Sequence, residues 1–311
     1  MTTQVGAPQR QQGGMRNVIR NVLRNEQART WLALTPAVAI VIVLFGGAVV
    51  LALAQSFGLL SIGVGQGPSL NAYVSLFGSP EFGRSLRLTT YVAVVSTVLS
   101  VTIGVGAALL LQRMGRGRRL AMTIFQLNLP IPHLIGATAI LATLGQSGFI
   151  ARIATQTGLI DGPADFPAML FDPWAIGVIA QYVWKEIPFV GVVTLAVLRN
   201  VGDNLDEAAR MLGASGWQRF RHVTLPLLLP GVLPVTVIVF AFTFGTFEVP
   251  LLLGRSFPAV LPVMAHQRYT ATDLAARPEA MAISVFITVV VLAVVFVGMA
   301  LVRNAIRRDA T

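Results

Sequence analysis

Glu207-Ala208-Ala209-Arg210-Met211-Leu212-Gly213, followed after nine residues by Val223-Thr224-Leu225-Pro226, is a polar, helix-forming stretch set between two strongly apolar ones. Its local chemistry reads as two short helices about a bend. Asp203 is placed to cap the first, and Asp206 and Glu207 put acidic groups at the positive end of its dipole. Ala208, Ala209, Arg210, Met211 and Leu212 are good helix formers. Gly213 permits a stop, and Ser215 is placed to cap a second helix through Trp217, Phe220 and Val223, ending where Pro226 and Pro230 begin the next apolar run. Such an elbow transmits movement where a floppy loop would absorb it, so the stretch reads as a docking surface and not as a membrane span.

The composition around it is that of a membrane protein. Of 311 residues, 55% are hydrophobic and only 12% charged, and the mean hydropathy is +0.73. That is too apolar for a soluble domain and leaves room for several spans. With no cysteine in the chain, disulfides, thiol catalysis and thiolate metal sites are excluded. His133, His222 and His266 are too scattered to suggest a ligand cluster, so no metal or other cofactor is expected.

Six apolar stretches approach the roughly 20 residues that a helix needs to cross about 30 Å of hydrocarbon. They are 31–54, 88–111, 120–144, 174–198, 227–253 and 280–302. The first, second and sixth carry no charge; the third, fourth and fifth are interrupted by prolines or charges, which lipid tolerates only where they face protein or a wet cavity. The fold class expected is therefore an all-α, polytopic membrane protein with six transmembrane helices.

Arginine placement orients it. Arg10, Arg16, Arg20, Arg24 and Arg29 lie in the N-terminal tail, Arg113, Arg116, Arg118 and Arg119 between the second and third spans, Arg199, Arg210, Arg219 and Arg221 around the elbow, and Arg303, Arg307 and Arg308 at the C-terminus. The opposite connections hold only Arg84, Arg152, Arg255, Arg268 and Arg277. The positive-inside rule then predicts N-in/C-in with a cytoplasmic elbow. This asymmetry accounts for the net charge of +10 without a nucleic-acid partner.

Before the first span, residues 1–14 read as a disordered tail. Met15, Val18, Ile19, Val22 and Leu23 recur at helical spacing opposite Arg16, Arg20 and Arg24, which fits an amphipathic helix on the lipid surface. The run at 31–54 is too long and lacks the cleavage site of a removable signal peptide, so it reads as a retained span. The expected organisation is a basic tail, 1–30, the first helix, 31–54, and a five-helix core, 84–303, that includes the elbow at 203–226. The Gly- and Ser-rich segment 55–83 separates the last two, and 146–173 reads as an external loop with room for a short helix.

Four polar residues fall within the interrupted spans. Lys185 lies about 16 Å from the outer end of the fourth and His133 about 20 Å from the inner end of the third, both near the middle. Adjacent residues on a helix do not face each other, so Lys185 and Glu186 should have separate partners, and Pro188 can open the backbone beside them. Each is a pathway candidate or an interhelical structural group, and His133, between Pro130 and Pro132, suits a partner on a neighbouring helix. Glu248, near the outer end of the fifth span, suits either an external gate or a carboxylate that snorkels to the headgroups.

The spacing of Glu207-Ala208-Ala209, Gly213 and Val223-Thr224-Leu225-Pro226 resembles the EAA loop of importer-type ABC transporter permeases, with Val223 in place of the more usual Ile as its one departure. The resemblance is densest from about Arg84 to 302. It implies the type I importer permease fold, a multi-pass place in a bacterial inner membrane, and a role as half of a solute pathway. It also implies a separate ABC ATPase, a second permease subunit and an extracytoplasmic substrate-binding protein as partners. Glu207, Ala208, Ala209, Arg210, Gly213 and Phe220 would then form the ATPase-coupling surface. The only lysine, Lys185, lies between Trp184 and Glu186, so the chain lacks a phosphate-cradling Gly-x-x-x-x-Gly-Lys-Ser/Thr loop and is not expected to be an enzyme. Met211-Leu212-Gly213-Ala214 looks more like the spermidine/putrescine, iron, thiamine and sulfate group than the sugar group. That favours a polyamine, thiamine, iron or an oxyanion as solute. A sugar-class permease and a gradient-driven secondary transporter are the alternatives; the latter would need no docking elbow, and a membrane scaffold would need no Pro and charge interruptions.

Overall fold

The computed structural model describes residues 26–59, 67–201 and 204–308. The amphipathic helix expected at 15–24, the tail before it and the Asp203 cap lie outside these residues. The chain divides into two compact units, Met1–Ala54 and Gln55–Thr311. The larger unit thus begins at Gln55, ahead of the Arg84 at which the sequence reading starts the five-helix core.

Toward the N-terminus α1 (Glu26–Val41) passes through a π-helical turn, Ile42–Gly46, into α2 (Gly47–Ser56). Six helices among the described residues are long and apolar enough to cross a membrane, and the first of them is Ala33–Ser56.

In the larger unit α3 (Asn71–Gly78) precedes α4 (Pro80–Arg113), which is capped by Ser79 accepting from the Glu81 N–H and has Pro80 at its first position. The third apolar stretch does not form the continuous helix expected over 120–144. It breaks after α5 (Arg118–Gln126) and resumes as α6 (His133–Leu144), because Pro130 and Pro132 lack the N–H groups that a helix would need there. The apolar helix of membrane length is His133–Gln156, whose last part, α7 (Phe149–Gln156), lies in the segment read as an external loop. Next, α8 (Ile176–Val201) runs on through Pro188.

The elbow follows as α9 (Asn204–Met211) and α10 (Gly216–Arg219). Its second helix does not end before the fifth span, as the sequence suggests, but continues through a π-helical turn, Phe220–Thr224, into α11 (Leu225–Gly245). Pro226, the second residue of α11, has no N–H to offer the preceding turn, and the π-helical turn lies immediately before it. The fifth span in turn stops at Gly245, short of the expected 253, and a new helix, α12 (Glu248–Leu253), begins after Thr246 and Phe247. Two elements complete the unit, α13 (Leu261–Thr270) and α14 (Arg277–Arg308).

Small residues bring the helices together. A Cβ on Gly104 of α4 would lie 2.8 Å from the Cβ of Val190 on α8, and one on Gly191 would lie 2.5 Å from the Phe125 ring of α5. Close backbone approach of this kind drives helix association where water exclusion cannot. At the arginine-poor end, Arg268 of α13 pairs with Glu279 of α14 and, at 2.9 Å, with Glu81 of α4, while Ser75 of α3 donates to Glu279 at 2.7 Å. Four helices are thereby pinned at one end.

Candidate functional site

The elbow is built from local hydrogen bonds. The Ala214 N–H donates to Ala209 O at 3.1 Å and the Gly213 N–H to Arg210 O at 3.0 Å. With Gly213 left-handed at φ 82°, this is a complete Schellman stop, and it explains why a glycine stands six residues after Glu207. One residue after Ala214 the chain starts again: Ser215 Oγ accepts from the Gln218 N–H at 3.3 Å, and Gln218 Oε1 accepts from the Ser215 N–H at 2.8 Å. That reciprocal capping box fixes the direction of α10.

The surface this produces is apolar and open. Met211 is 84% and Leu212 88% exposed, Leu205 and Trp217 are also exposed, and Trp217 lies against the half-buried Phe220 with ring centroids 5.6 Å apart. Glu207, Ala208 and Arg210 are exposed on α9, and Ala209 is half-buried beneath them. A cleft of about 440 Å³ runs along the inside of the bend between Ala209, Leu212, Gly213, Gln218, His222 and Val223. Leu205, Met211, Leu212 and Trp217 thus give the bend an exposed apolar character.

The second polar region lies where the third span breaks against the fourth. Pro188 has no N–H for Trp184 O, and the side-chain amide of Asn128 donates to that oxygen instead, at 2.6 Å. Reaching the other way, Gln181 donates to His133 O at 3.0 Å. Lys185, 6% exposed, turns its ammonium to Asn128 O, Leu129 O and Ile131 O. Glu186, 7% exposed, faces the His133 imidazole at 3.2 Å. That ring lies against Phe242 of α11, their centroids 4.6 Å apart. Of the four candidates in the spans, His133 and Glu186 are therefore brought together. Lys185 binds backbone beside them, and Glu248 is exposed in the first turn of α12, within electrostatic reach of Tyr182 as Glu186 is.

Sequence reading missed Asn128 and Gln181. A signal for Asn128 exists, since a proline frees the carbonyl four residues before it and an amide near midspan needs a partner; no spacing rule links residues 128 and 184.

These regions define a polytopic helical membrane protein of the transport class, with an exposed apolar bend and a broken apolar stretch stitched by polar contacts to its neighbour. The chain belongs to the family described as the binding-protein-dependent transport system inner membrane component, which it matches over residues 100–308. It is 33% identical over 227 residues to the molybdenum transport system permease protein ModB of Mycobacterium tuberculosis, covering 71% of this chain and 80% of that protein. The sulfate transport system permease protein CysW of Synechocystis is 27% identical over 201 residues, covering 63% and 69%. Among solved structures, a bacterial ABC transporter involved in the import of the acidic polysaccharide alginate superposes with a TM-score of 0.74 at 22% identity, covering 92% of this chain and 99% of that one. The protein is an inner-membrane permease subunit of an ABC importer, with the type I permease fold.

Proposed function

We propose that the chain forms half of a translocation pathway for a small oxyanion of the molybdate or sulfate kind. The likeness to ModB carries the substrate class, with CysW in support. A second permease subunit would complete the pathway, and an extracytoplasmic binding protein would deliver the solute. The chemistry of ATP hydrolysis belongs to a separate ATPase docked on the elbow at the cytoplasmic face.

The open apolar surface of the elbow carries the coupling role. Because α10 continues through the π-helical turn into α11, force applied at Met211, Leu212 and Trp217 enters the fifth span along one helical rod. The Schellman stop prevents the bend from absorbing it. On this reading Glu207 and Arg210 are polar contacts around an apolar centre, the arrangement of a protein interface. The His133–Glu186 pair lies where α6, α8 and α11 meet, so movement of α11 changes the surroundings of a polar pair within the spans.

The test is solute uptake by cells that depend on this permease, with molybdate, sulfate and maltodextrin offered separately. Saturable uptake of molybdate or sulfate, competed by the other oxyanion or by tungstate, is expected. Uptake of maltodextrin alone would place the chain in the sugar class, the reading favoured by its 28% identity over 200 residues to the maltodextrin permease MalC of Streptococcus pneumoniae. Reporter fusions after residues 115, 215 and 305 should report cytoplasm, and those near 160 and 270 the opposite side; an external signal at 215 would detach the elbow from any ATPase.

A further inference from the structure

The break in the third span turns three main-chain carbonyls toward one point, and the chain fills that point itself. Lys185 Nζ lies 2.7 Å from Asn128 O, 2.9 Å from Leu129 O and 2.5 Å from Ile131 O. An ammonium has three donors and no acceptor, so these carbonyls satisfy it completely. Glu186 makes no hydrogen bond to the ammonium; its carboxylate lies 3.2 Å from His133 Nε2. Convergent carbonyl oxygens at such distances are how proteins replace the hydration shell of a monovalent cation. An uncompensated charge near the centre of a span costs several kcal/mol, so the ammonium is held there only because the cradle exists.

We infer that the break between α5 and α6 is a monovalent-cation site of ammonium size, occupied by the tethered ammonium of Lys185. Through it Lys185 acts as a positioning residue that sets the angle between the two halves of the third span. The contact is reinforced from the opposite direction by Asn128 on Trp184 O, so the fourth span grips both the carbonyl and the amide side of the break. Removing the lysine side chain takes the ammonium from all three carbonyls, leaving Asn128 O with the Ile131 N–H at 3.2 Å, and opens a space that a free cation of the same size can enter. An apolar side chain of equal length supplies no donor to the carbonyls and leaves the space filled.

The native absence of cysteine allows a direct test with the full chain in lipid nanodiscs. Spin labels at Ile124→Cys on α5 and Leu134→Cys on α6, both exposed positions, report the distance across the break. A single narrow distribution is expected with Lys185 present and its loss with Lys185→Ala. Ammonium or methylammonium should restore the narrow distribution of Lys185→Ala in a saturable manner, and N-methylglucamine at equal ionic strength should not. Lys185→Met should give the broad distribution with no response to any cation. A narrow distribution in either variant without added cation overturns the proposal, as does Lys185→Ala that ignores ammonium or responds equally to N-methylglucamine. If Lys185→Ala is not recovered folded, Lys185→Met decides alone: broadening supports the clamp and the native distribution overturns it. A side chain that merely fills space would show no cation-selective recovery.

Discussion

The elbow and the broken third span solve the same problem, a helix that must stop and restart, by opposite means. At the elbow the hydrogen bonds of the stop and of the capping box join residues at most five apart in sequence, from Ala209 to Gln218. At the break the partners are 48 to 57 residues apart, and they come from the facing helix. The difference follows from the solvent. A bend in water needs only its own caps, since orphan groups can be hydrated, and so its side chains stay free to bind a partner. A bend packed against a spanning helix is shielded from water, so its freed carbonyls take donors from that neighbour. The first solution yields a surface and the second a joint.

The comparison is tested hardest at Gly213. Replacing it by Asp places a side chain in the left-handed region at φ 82° and a charge inside the bend, and Glu207→Ala removes an exposed polar contact; each should reduce solute uptake to background while membrane insertion and thermal stability stay near native. Unchanged uptake in both variants would remove the coupling role from the elbow.

At the joint the order of effects reverses. Asn128→Leu strips Trp184 O of its donor and should lower stability by about 1–3 kcal/mol, seen as an earlier thermal transition in detergent. An unchanged transition would mean that another group, such as lipid or water, satisfies that carbonyl.

A graded probe of the elbow is Ser215→Ala, which removes half of the capping box. The loss should be about 1 kcal/mol of local helix stability, with uptake reduced but not abolished and co-purification with an ATPase weakened. The smallest effect is expected from Arg268→Gln in the partly exposed cluster with Glu81 and Glu279. Ion pairs of that exposure are worth up to about 1 kcal/mol, so its thermal transition should move less than that of Asn128→Leu; a larger shift would show that the cluster, and not the joint, holds the helix ends together.

The sequence alone determined what depends on near neighbours or on bulk composition. Six apolar stretches, the arginine asymmetry, the Glu207-to-Pro226 spacing and the stop at Gly213 are all readable, because hydropathy is additive along a chain and helix caps act within a turn. The prolines even announced the interruption of the third apolar stretch, whereas Pro188 leaves the fourth span a single helix. Only the tertiary structure decided what the interruptions do. It ended the fifth span at Gly245, joined α10 to α11, gave Trp184 O to Asn128, and turned Lys185 to backbone carbonyls and Glu186 to His133. These outcomes rest on which helices pack together. Small residues such as Gly104 and Gly191 set that packing by allowing close approach, and the spacing of residues along the chain carries no record of the partner across the gap.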